Sequence, residues 1–398
     1  MEKQYVVITG RRNAGKSSLI NVLTGQHISI VSDTPGTTTD PVKKSFEIPG
    51  FAPVIFIDTA GIDDEGELGG QRIKKTEAAV RQADCALLII TGNHFGPEEE
   101  QLVEQFHSVG LPFIIIHNKS DILPLNRDLQ KKLEQKYKVP VLSFSTTQHP
   151  ATDQLFGLIK TVVGKKKNTS LIGDILKKND IVLLITPIDS EAPAGRIILP
   201  QVQMIREILD NECVCIVLQP EELSPFISKT GITPQLVITD SQVFKQVAGL
   251  IPPAWPLTSF SIILARHRGD FREYIRGTRQ IEKLTDGDKI LMLESCSHHT
   301  SCEDIGRHKI PALLRKYTGK QLTFDFISGL DHIENPVSGY SLVIQCGGCM
   351  ITPTQLKNRL IPFIQAGIPV CNYGMVIAYI SGIFKRAIAP LENKKEAE

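Results

Sequence analysis

Gly10-Arg11-Arg12-Asn13-Ala14-Gly15-Lys16-Ser17 sets two glycines, a lysine and a hydroxyl at the spacing of a phosphate-binding loop. Glycines let successive backbone N–H groups turn inward around phosphate oxygens, at the positive end of a following helix. In such a loop Lys16 reaches the β- and γ-phosphates and the Ser17 hydroxyl ligates magnesium, with Asn13, Ala14, Gly15 and Ser18 completing the cradle. Further groups follow in the order a guanine-nucleotide site needs. Asp58-Thr59-Ala60-Gly61 can hold magnesium through Asp58 and meet a γ-phosphate with the Gly61 N–H. Asn118-Lys119-Ser120-Asp121 offers a carboxylate to guanine N1–H and the exocyclic amino group, a donor pair that adenine lacks. Ser145-Thr146 stands where a loop commonly closes over the base. Structural turns falling in this order by chance are the plainer reading, and the number of coincidences argues against it. The pattern predicts a magnesium-dependent GTPase.

Asp33-Thr34-Pro35-Gly36-Thr37-Thr38-Thr39-Asp40 lies where a first switch loop belongs. Its threonines, Thr38 first and Thr37 beside it, can ligate magnesium when a γ-phosphate is present; a capped turn is the bland alternative. Lys16, Thr38, Asp58 and Gly61 are therefore the candidate catalytic residues. Ile62 follows Gly61, and an aliphatic side chain cannot orient water, so slow intrinsic hydrolysis is expected.

The eight cysteines are unevenly placed. Cys85, Cys213 and Cys215 sit in apolar runs and read as packing. Cys296, Cys302, Cys346, Cys349 and Cys371 crowd the last quarter, which in a reducing compartment suggests metal rather than disulfides. Glu294-Ser295-Cys296-Ser297-His298-His299 and Gln345-Cys346-Gly347-Gly348-Cys349 each follow a strand-like run, so both would emerge at the carboxyl ends of a parallel sheet. The glycines inside the CxxC permit a tight loop that aims both sulfurs at one point. On these residues three readings stay open: an iron–sulfur cluster, a zinc site of three cysteines and a histidine, and unmetallated packing or a redox pair.

The elements that must carry these residues alternate between strand-length apolar runs and helical patterns. Tyr5–Thr9, Val54–Ile57, Ala86–Thr91, Phe113–His117 and Val141–Phe144 read as buried parallel strands, with helices over Lys16–Leu23 and Glu98–Ser108 between them. This is the signature of a doubly wound α/β sheet. Lys165 to Ser170 interrupts the pattern. A second α/β block has strands near Ile181–Ile185, Val214–Leu218 and Leu236–Ile238, and closes near Pro252, Pro253 and Pro256. A third opens at Phe260–Ala265 and holds strands Lys289–Leu293 and Ser341–Ile344. The fold class expected is a P-loop GTPase domain over 1–167 followed by two α/β domains with parallel sheets, over 168–261 and 262–398. No internal repeat is visible.

A chain of 398 residues exceeds one hydrophobic core. With 41% hydrophobic and 22% charged residues it reads as an ordinary globular protein. Ile114–Ile116 and Val376–Ile380 fall far short of a membrane span, and no charged-then-apolar segment opens the chain, so a cytoplasmic protein without membrane contact is expected. Net charge is +1 and the one lysine run, Lys165–Lys167, suits a solvated linker, so nothing in the charge pattern points to nucleic acid.

The switch loop and Asn13 resemble the family of the tRNA-modifying GTPase MnmE, in which the matching asparagine helps bind potassium in place of an arginine finger. The whole chain resembles the HydF family, the maturation GTPases of iron-only hydrogenases. That resemblance rests on the GTPase motifs, Cys296-x-His298, the Cys346-x-x-Cys349 pair, Gly195–Gln203, Asp304-Ile305-Gly306-Arg307 and Asn372-Tyr373-Gly374. It implies GTPase, dimerisation and cluster-binding domains in that order, and a homodimer. It also implies a 4Fe–4S cluster on Cys296, Cys346 and Cys349, and a transient diiron subcluster. The implied partners are the radical-SAM maturases HydE and HydG and apo iron-only hydrogenase. Where many members of the family carry a histidine before the CxxC, this chain has Gln345. The fourth ligand is thus open among His298, Glu303, Cys302 and an exchangeable small molecule. The rival reading is a tRNA-modification or ribosome-assembly GTPase with a zinc-binding end, disfavoured by the lack of a basic RNA-binding module.

Overall fold

A computed structural model describes residues 3–25, 42–48, 51, 53–59, 76–148, 150–164, 170–188, 197–295, 305–331, 333 and 335–392. The expectations for Thr37, Thr38, Gly61, Ile62, Cys296, His298, His299, Cys302 and Glu303 lie outside these residues. The chain divides into two compact units, residues 1–167 and 168–398.

The first unit is built on a six-stranded sheet in the order β2-β3-β1-β4-β5-β6. Its strands are β1 (Gln4–Gly10), β2 (Val42–Glu47), β3 (Pro53–Asp58), β4 (Cys85–Ile90), β5 (Phe113–His117) and β6 (Val141–Ser143). Only β2 runs antiparallel, against β3; the other pairings are parallel. Successive residues of β1 and β4 serve opposite faces. Val6, Ile8, Leu87 and Ile89 pack with α1 (Lys16–Thr24) and α4 (Thr152–Gly164), while Val7, Leu88 and Ile90 pack with α2 (Pro97–Ser108) and α3 (Arg127–Tyr137). Both faces being covered, the central strands are apolar on both faces over most of their length, each buried apolar side chain contributing about 1.5–3 kcal/mol. Each expected strand of this unit is present. Edge strand β2, with its charged alternation, was not foreseen.

The second unit holds two four-stranded, wholly parallel sheets. One is ordered β10-β9-β7-β8, from β7 (Ile181–Ile185), β8 (Val214–Leu218), β9 (Leu236–Thr239) and β10 (Leu257–Ser259). The other is ordered β12-β11-β13-β14, from β11 (Lys289–Leu293), β12 (Thr323–Ile327), β13 (Leu342–Gln345) and β14 (Val370–Asn372). Counted from its own first strand, each sheet reads 2-1-3-4. The path repeats although no sequence repeat is visible. Each last strand also runs straight into a helix. Ser259 caps α8 (Phe260–Arg268) by accepting from the Ile262 N–H, and Asn372 caps α12 (Tyr373–Ile380) by accepting from the Gly374 N–H. The Phe260–Ala265 run is thus the first part of helix α8.

One continuous core serves both sheets, taking Leu183 and Val237 from the first and Leu291 and Val343 from the second. Helix α8 bridges them. It packs on α5 (Leu199–Asp210) of the first sheet and on α11 (Pro353–Gln365) and α12 of the second. The expected boundary at residue 261 falls inside this helix. Among the described residues no helix is long and apolar enough to cross a membrane.

Candidate functional site

Strand β1 delivers the phosphate loop at the carboxyl edge of the first sheet. Gly10, at φ +141°, lies so close to β4 that an added Cβ would sit 2.3 Å from the Ile89 carbonyl oxygen. Gly15, at φ +89°, leaves equally little room beside the Asn118 amide. That amide donates to the Ala14 carbonyl at 2.9 Å, tying the base-recognition segment to the phosphate loop. The Lys16 ammonium donates to the Gly10 and Arg11 carbonyls at 3.0 and 2.7 Å, which hold it inside the loop. Arg11, which sequence reasoning passed over, pairs with Glu98 and with buried Glu99. Glu99 also accepts from the Gly96 N–H at 2.8 Å, so the loop is fastened to the N-terminus of α2. The run of glutamates after Pro97 was the available signal.

Ser17 donates to Asp58 at 2.5 Å, while the other Asp58 oxygen is buried and has no partner. Burial pushes the Asp58 carboxyl above its ordinary range, against the Ser17 hydrogen bond and the charges of Lys16 and Lys44. A hydroxyl beside an unpartnered buried carboxylate oxygen is a donor set that suits magnesium. The sign of the shift yields a test. With the folded value raised, ionisation of Asp58 opposes folding as pH rises through that value, unless a cation compensates. Asp58→Asn is therefore expected to raise the melting temperature of nucleotide-free, magnesium-free protein at neutral pH. The same change should slow GTP hydrolysis about 100-fold or more, because several kcal/mol of metal assistance are lost. Calorimetry and a phosphate-release assay check both, and a lower melting temperature would contradict the account.

At the base end, Ser145 donates to Asp121 at 2.6 Å and Thr147 donates to its second oxygen at 3.1 Å. The Ser145 hydroxyl holds the Asp121 carboxyl below the usual carboxylate range, leaving an ionised acceptor at neutral pH. The second hydroxyl comes from Thr147, one residue beyond the Ser145-Thr146 pair assigned to the base loop. Lys119 adopts a left-handed φ of +60°.

In the second unit, Leu293, Gln345 and Asn372 stand side by side at the ends of β11, β13 and β14. Cys346 follows Gln345, and its backbone N–H donates to the Leu293 carbonyl at 2.9 Å. Its thiol lies 2.9 Å from the hydroxyl of Ser295, the residue before Cys296. Gln345 is wholly buried. Its amide N–H bonds Ser295 and Cys346, and its amide oxygen has no partner. Gly348 takes φ +71°, where a Cβ would meet Leu356 at 2.5 Å. A left-handed φ there favours glycine. Gly347 has no such constraint, so the turn favours glycine at only one of the two positions. Burial and the neighbouring Cys346 raise the Cys349 thiol, while Arg268 and the N–H groups of Cys349 and Met350 favour its thiolate. Buried Arg359 donates to the Glu294 and Ile327 carbonyls at 2.7 and 2.9 Å, fixing the ends of β11 and β12. Glu294 is itself held by Arg307 and Ser328. Cys371 stands apart, wholly buried in β14 as core.

The comparisons with known proteins divide along the same lines. Residues 171–269 match the hydrogen maturase F dimerization domain and residues 272–390 the hydrogen maturase F tetramerization domain. The chain belongs to the hydrogen maturase F family. Residues 5–119 match the 50S ribosome-binding GTPase family, so the first unit has a GTPase fold, which implies GTP and magnesium. The paired matches support an oligomer, though no residue pattern had signalled a tetramer. Among curated relatives, the tRNA modification GTPase MnmE of Nitrosomonas europaea is 43% identical over 118 residues, 29% of this chain and 26% of that protein. GTPase Der of Wolinella succinogenes is 38% identical over 138 residues, 33% of this chain and 29% of that protein. The chain thus spans less than a third of the length of either relative. The structure of Aquifex aeolicus Era bound to GDP·AlF4− is 21% identical with a TM-score of 0.38, covering 55% of this chain and 93% of that one. At that score the likeness carries no argument.

Proposed function

We propose that this protein is a GTP-dependent scaffold that carries a 4Fe–4S cluster on Cys296, Cys346 and Cys349. It would receive a diiron subcluster from the radical-SAM maturases HydE and HydG and pass it to apo iron-only hydrogenase in the cytoplasm. The observation that carries the reading is the thiol pair of Cys346 and Cys349, on a glycine turn at the carboxyl edge of a parallel sheet, beside the strand that leads to Cys296. The soft thiolates suit iron, and a bound cluster would supply an iron position able to take up the cargo. Beside it the Gln345 N–H donates to the Cys346 sulfur, the Cys346 thiol donates to the Ser295 hydroxyl, and the loop N–H groups serve Cys349. The fourth position would fall to an exchangeable group, Glu303 or His298. In this reading residues 1–167 bind GTP, 168–261 dimerise and 262–398 hold the cluster. Iron and acid-labile sulfide analysis of anaerobically purified protein tests it, together with activation of apo-hydrogenase. Zinc in place of iron would overturn it and favour the RNA-linked rival.

In the nucleotide site we assign the phosphates to Lys16 and the loop N–H groups of Asn13 to Ser18. Magnesium goes to Ser17, Thr38 and, through water, Asp58; the γ-phosphate contact goes to Gly61. Asn118, Lys119, Asp121, Ser145 and Thr146 enclose the base. Exposed Asn13, at φ +57°, leaves its amide free to meet potassium, as the MnmE resemblance implies. Intrinsic hydrolysis is then slow with Ile62 after Gly61. Potassium is expected to accelerate GTP hydrolysis well above sodium at equal ionic strength, and Asn13→Ala to erase the difference. Equal rates for wild type in the two salts would count against this mechanism.

For the dimer, edge strand β8 is the surface we favour. It ends its sheet, and Val214 and Val217, on opposite faces of the strand, are 48% and 43% exposed, while Val202 and Leu209 of α5 are exposed as well. Pairing of two copies along that edge would cover apolar side chains on both faces and satisfy the edge strand. Val217→Lys should then shift light scattering toward half the wild-type mass with GTP hydrolysis intact. An unchanged mass would move the interface elsewhere.

A further inference from the structure

The loop of residues 91–96, between β4 and α2, is anchored at each end. On one side it leaves β4, whose Ile90 carbonyl accepts from the Asn118 N–H at 2.9 Å. On the other the Gly96 N–H bonds Glu99, the residue that holds Arg11 of the phosphate loop. Asn93 stands between these anchors in the left-handed region, at φ +55°, which asparagine tolerates better than most side chains. Three of its polar groups reach the segment that carries the base-recognition residues. Its backbone N–H donates to Nε2 of buried His117 at 3.2 Å, one residue before Asn118. Its side-chain amide donates to the Pro124 carbonyl at 3.0 Å, and the amide oxygen accepts from the Asn126 N–H at 2.8 Å.

One residue thus grips the stretch from Asn118 to Asn126 at its entrance and at its exit, and Asp121 lies inside that stretch. Within it Lys119 takes φ +60°, and its carbonyl accepts from the Ile122 and Leu123 N–H groups at 3.0 and 3.2 Å. These local bonds shape the turn. The Asn93 amide fixes its far end, offering one donor and one acceptor as a neighbouring backbone would. Ser145 and Thr147 act on the Asp121 carboxylate, whereas Asn93 acts on the main chain that carries it. A carboxylate selects guanine only while both base donors meet it at hydrogen-bond length, so the position of that main chain becomes base discrimination. We infer that Asn93 is a positioning residue for guanine recognition, acting through Asp121 from a loop on another strand. This inference rests on the assignment of Asp121 to the base.

Full-length wild type, Asn93→Gly and Asn93→Asp are compared for binding of GTP and of inosine triphosphate, for KM and kcat of GTP hydrolysis, and for thermal unfolding. Inosine triphosphate keeps the N1–H but lacks the exocyclic amino group, so the ratio of the two affinities reads the second bond to Asp121. Glycine accepts the left-handed backbone and removes both side-chain bonds, while aspartate keeps the acceptor for Asn126 and loses the donor to Pro124. Asn93→Gly is expected to bind GTP about 10-fold more weakly, the worth of two ordinary hydrogen bonds. KM should rise alike, with kcat within about twofold of wild type, because the change lies at the base and not at the phosphates. The preference for GTP over inosine triphosphate should shrink in Asn93→Gly, with Asn93→Asp falling between it and wild type. A merely structural role would lower the melting temperature and leave that preference unchanged. The wild-type preference retained in both variants would overturn this inference alone. So would loss of cooperative unfolding in both, because Asn93 would then support the fold rather than the site. Wild type that binds the two nucleotides equally removes Asp121 from the base and takes this inference with it.

Discussion

Asp121→Asn is expected to turn the nucleotide site away from guanine and toward xanthine. The Asp121 carboxylate is oriented by the Ser145 and Thr147 hydroxyls, each on a different oxygen, and still has lone pairs for two donors on the base. An asparagine presents one acceptor and one donor, which matches xanthine and opposes guanine. Loss of two hydrogen bonds to a charged acceptor should weaken GTP binding at least about 100-fold, with a gain for xanthosine triphosphate. Competition binding of the two nucleotides measures it. Equal GTP affinity in variant and wild type would remove Asp121 from the base site.

The second large effect concerns the cluster. Single alanine variants of Cys296, Cys346 and Cys349 should each abolish the 4Fe–4S signal and hydrogenase activation while leaving GTP hydrolysis in place. The thiols of Cys346 and Cys349 flank a left-handed turn that favours glycine at position 348, and neither Gly347 nor Gly348 carries a side chain that could stand in for them. The expected histidine is absent. Gln345 is buried and bonded to Ser295 and Cys346, and its neutral amide oxygen is a poor iron ligand beside thiolates. Variants Glu303→Ala and Cys302→Ala are expected to keep the cluster, and added imidazole or cyanide to perturb the wild-type spectrum through an open position. If Cys302→Ala destroyed the signal and wild type ignored the added ligand, the site would be closed by four thiolates.

Much of the nucleotide site was legible because its chemistry is local. The Gly10–Ser17 loop, Asp58 and Asn118–Asp121 each follow a strand whose apolar run announces it, and buried parallel strands leave no ambiguity of face. The placement of Cys346 at a sheet's carboxyl edge was legible for the same reason. Strands β2, β10, β12 and β14 were not. They are edge strands or three to five residues long, with alternation too short or too polar to stand out from loops.

By itself the sequence determined a GTPase unit, the order of the later α/β blocks and a thiol pair on a glycine turn, since each is written in contiguous residues. Tertiary structure decided which residues support those sites. Thr147 reaches Asp121 because of the loop's path, not its place in the run of hydroxyls. Arg11 reaches Glu99, and Arg268 reaches Gly348, across 88 and 80 residues. In sequence Arg268 is one of three basic residues in the last turn of a helix, where a solvent-facing charge beside the helix dipole is the ordinary expectation. Only the packing of α8 against a second sheet of the same strand order buries it. A contact between a side chain and a distant carbonyl carries no periodicity, so nothing in the linear pattern could announce it.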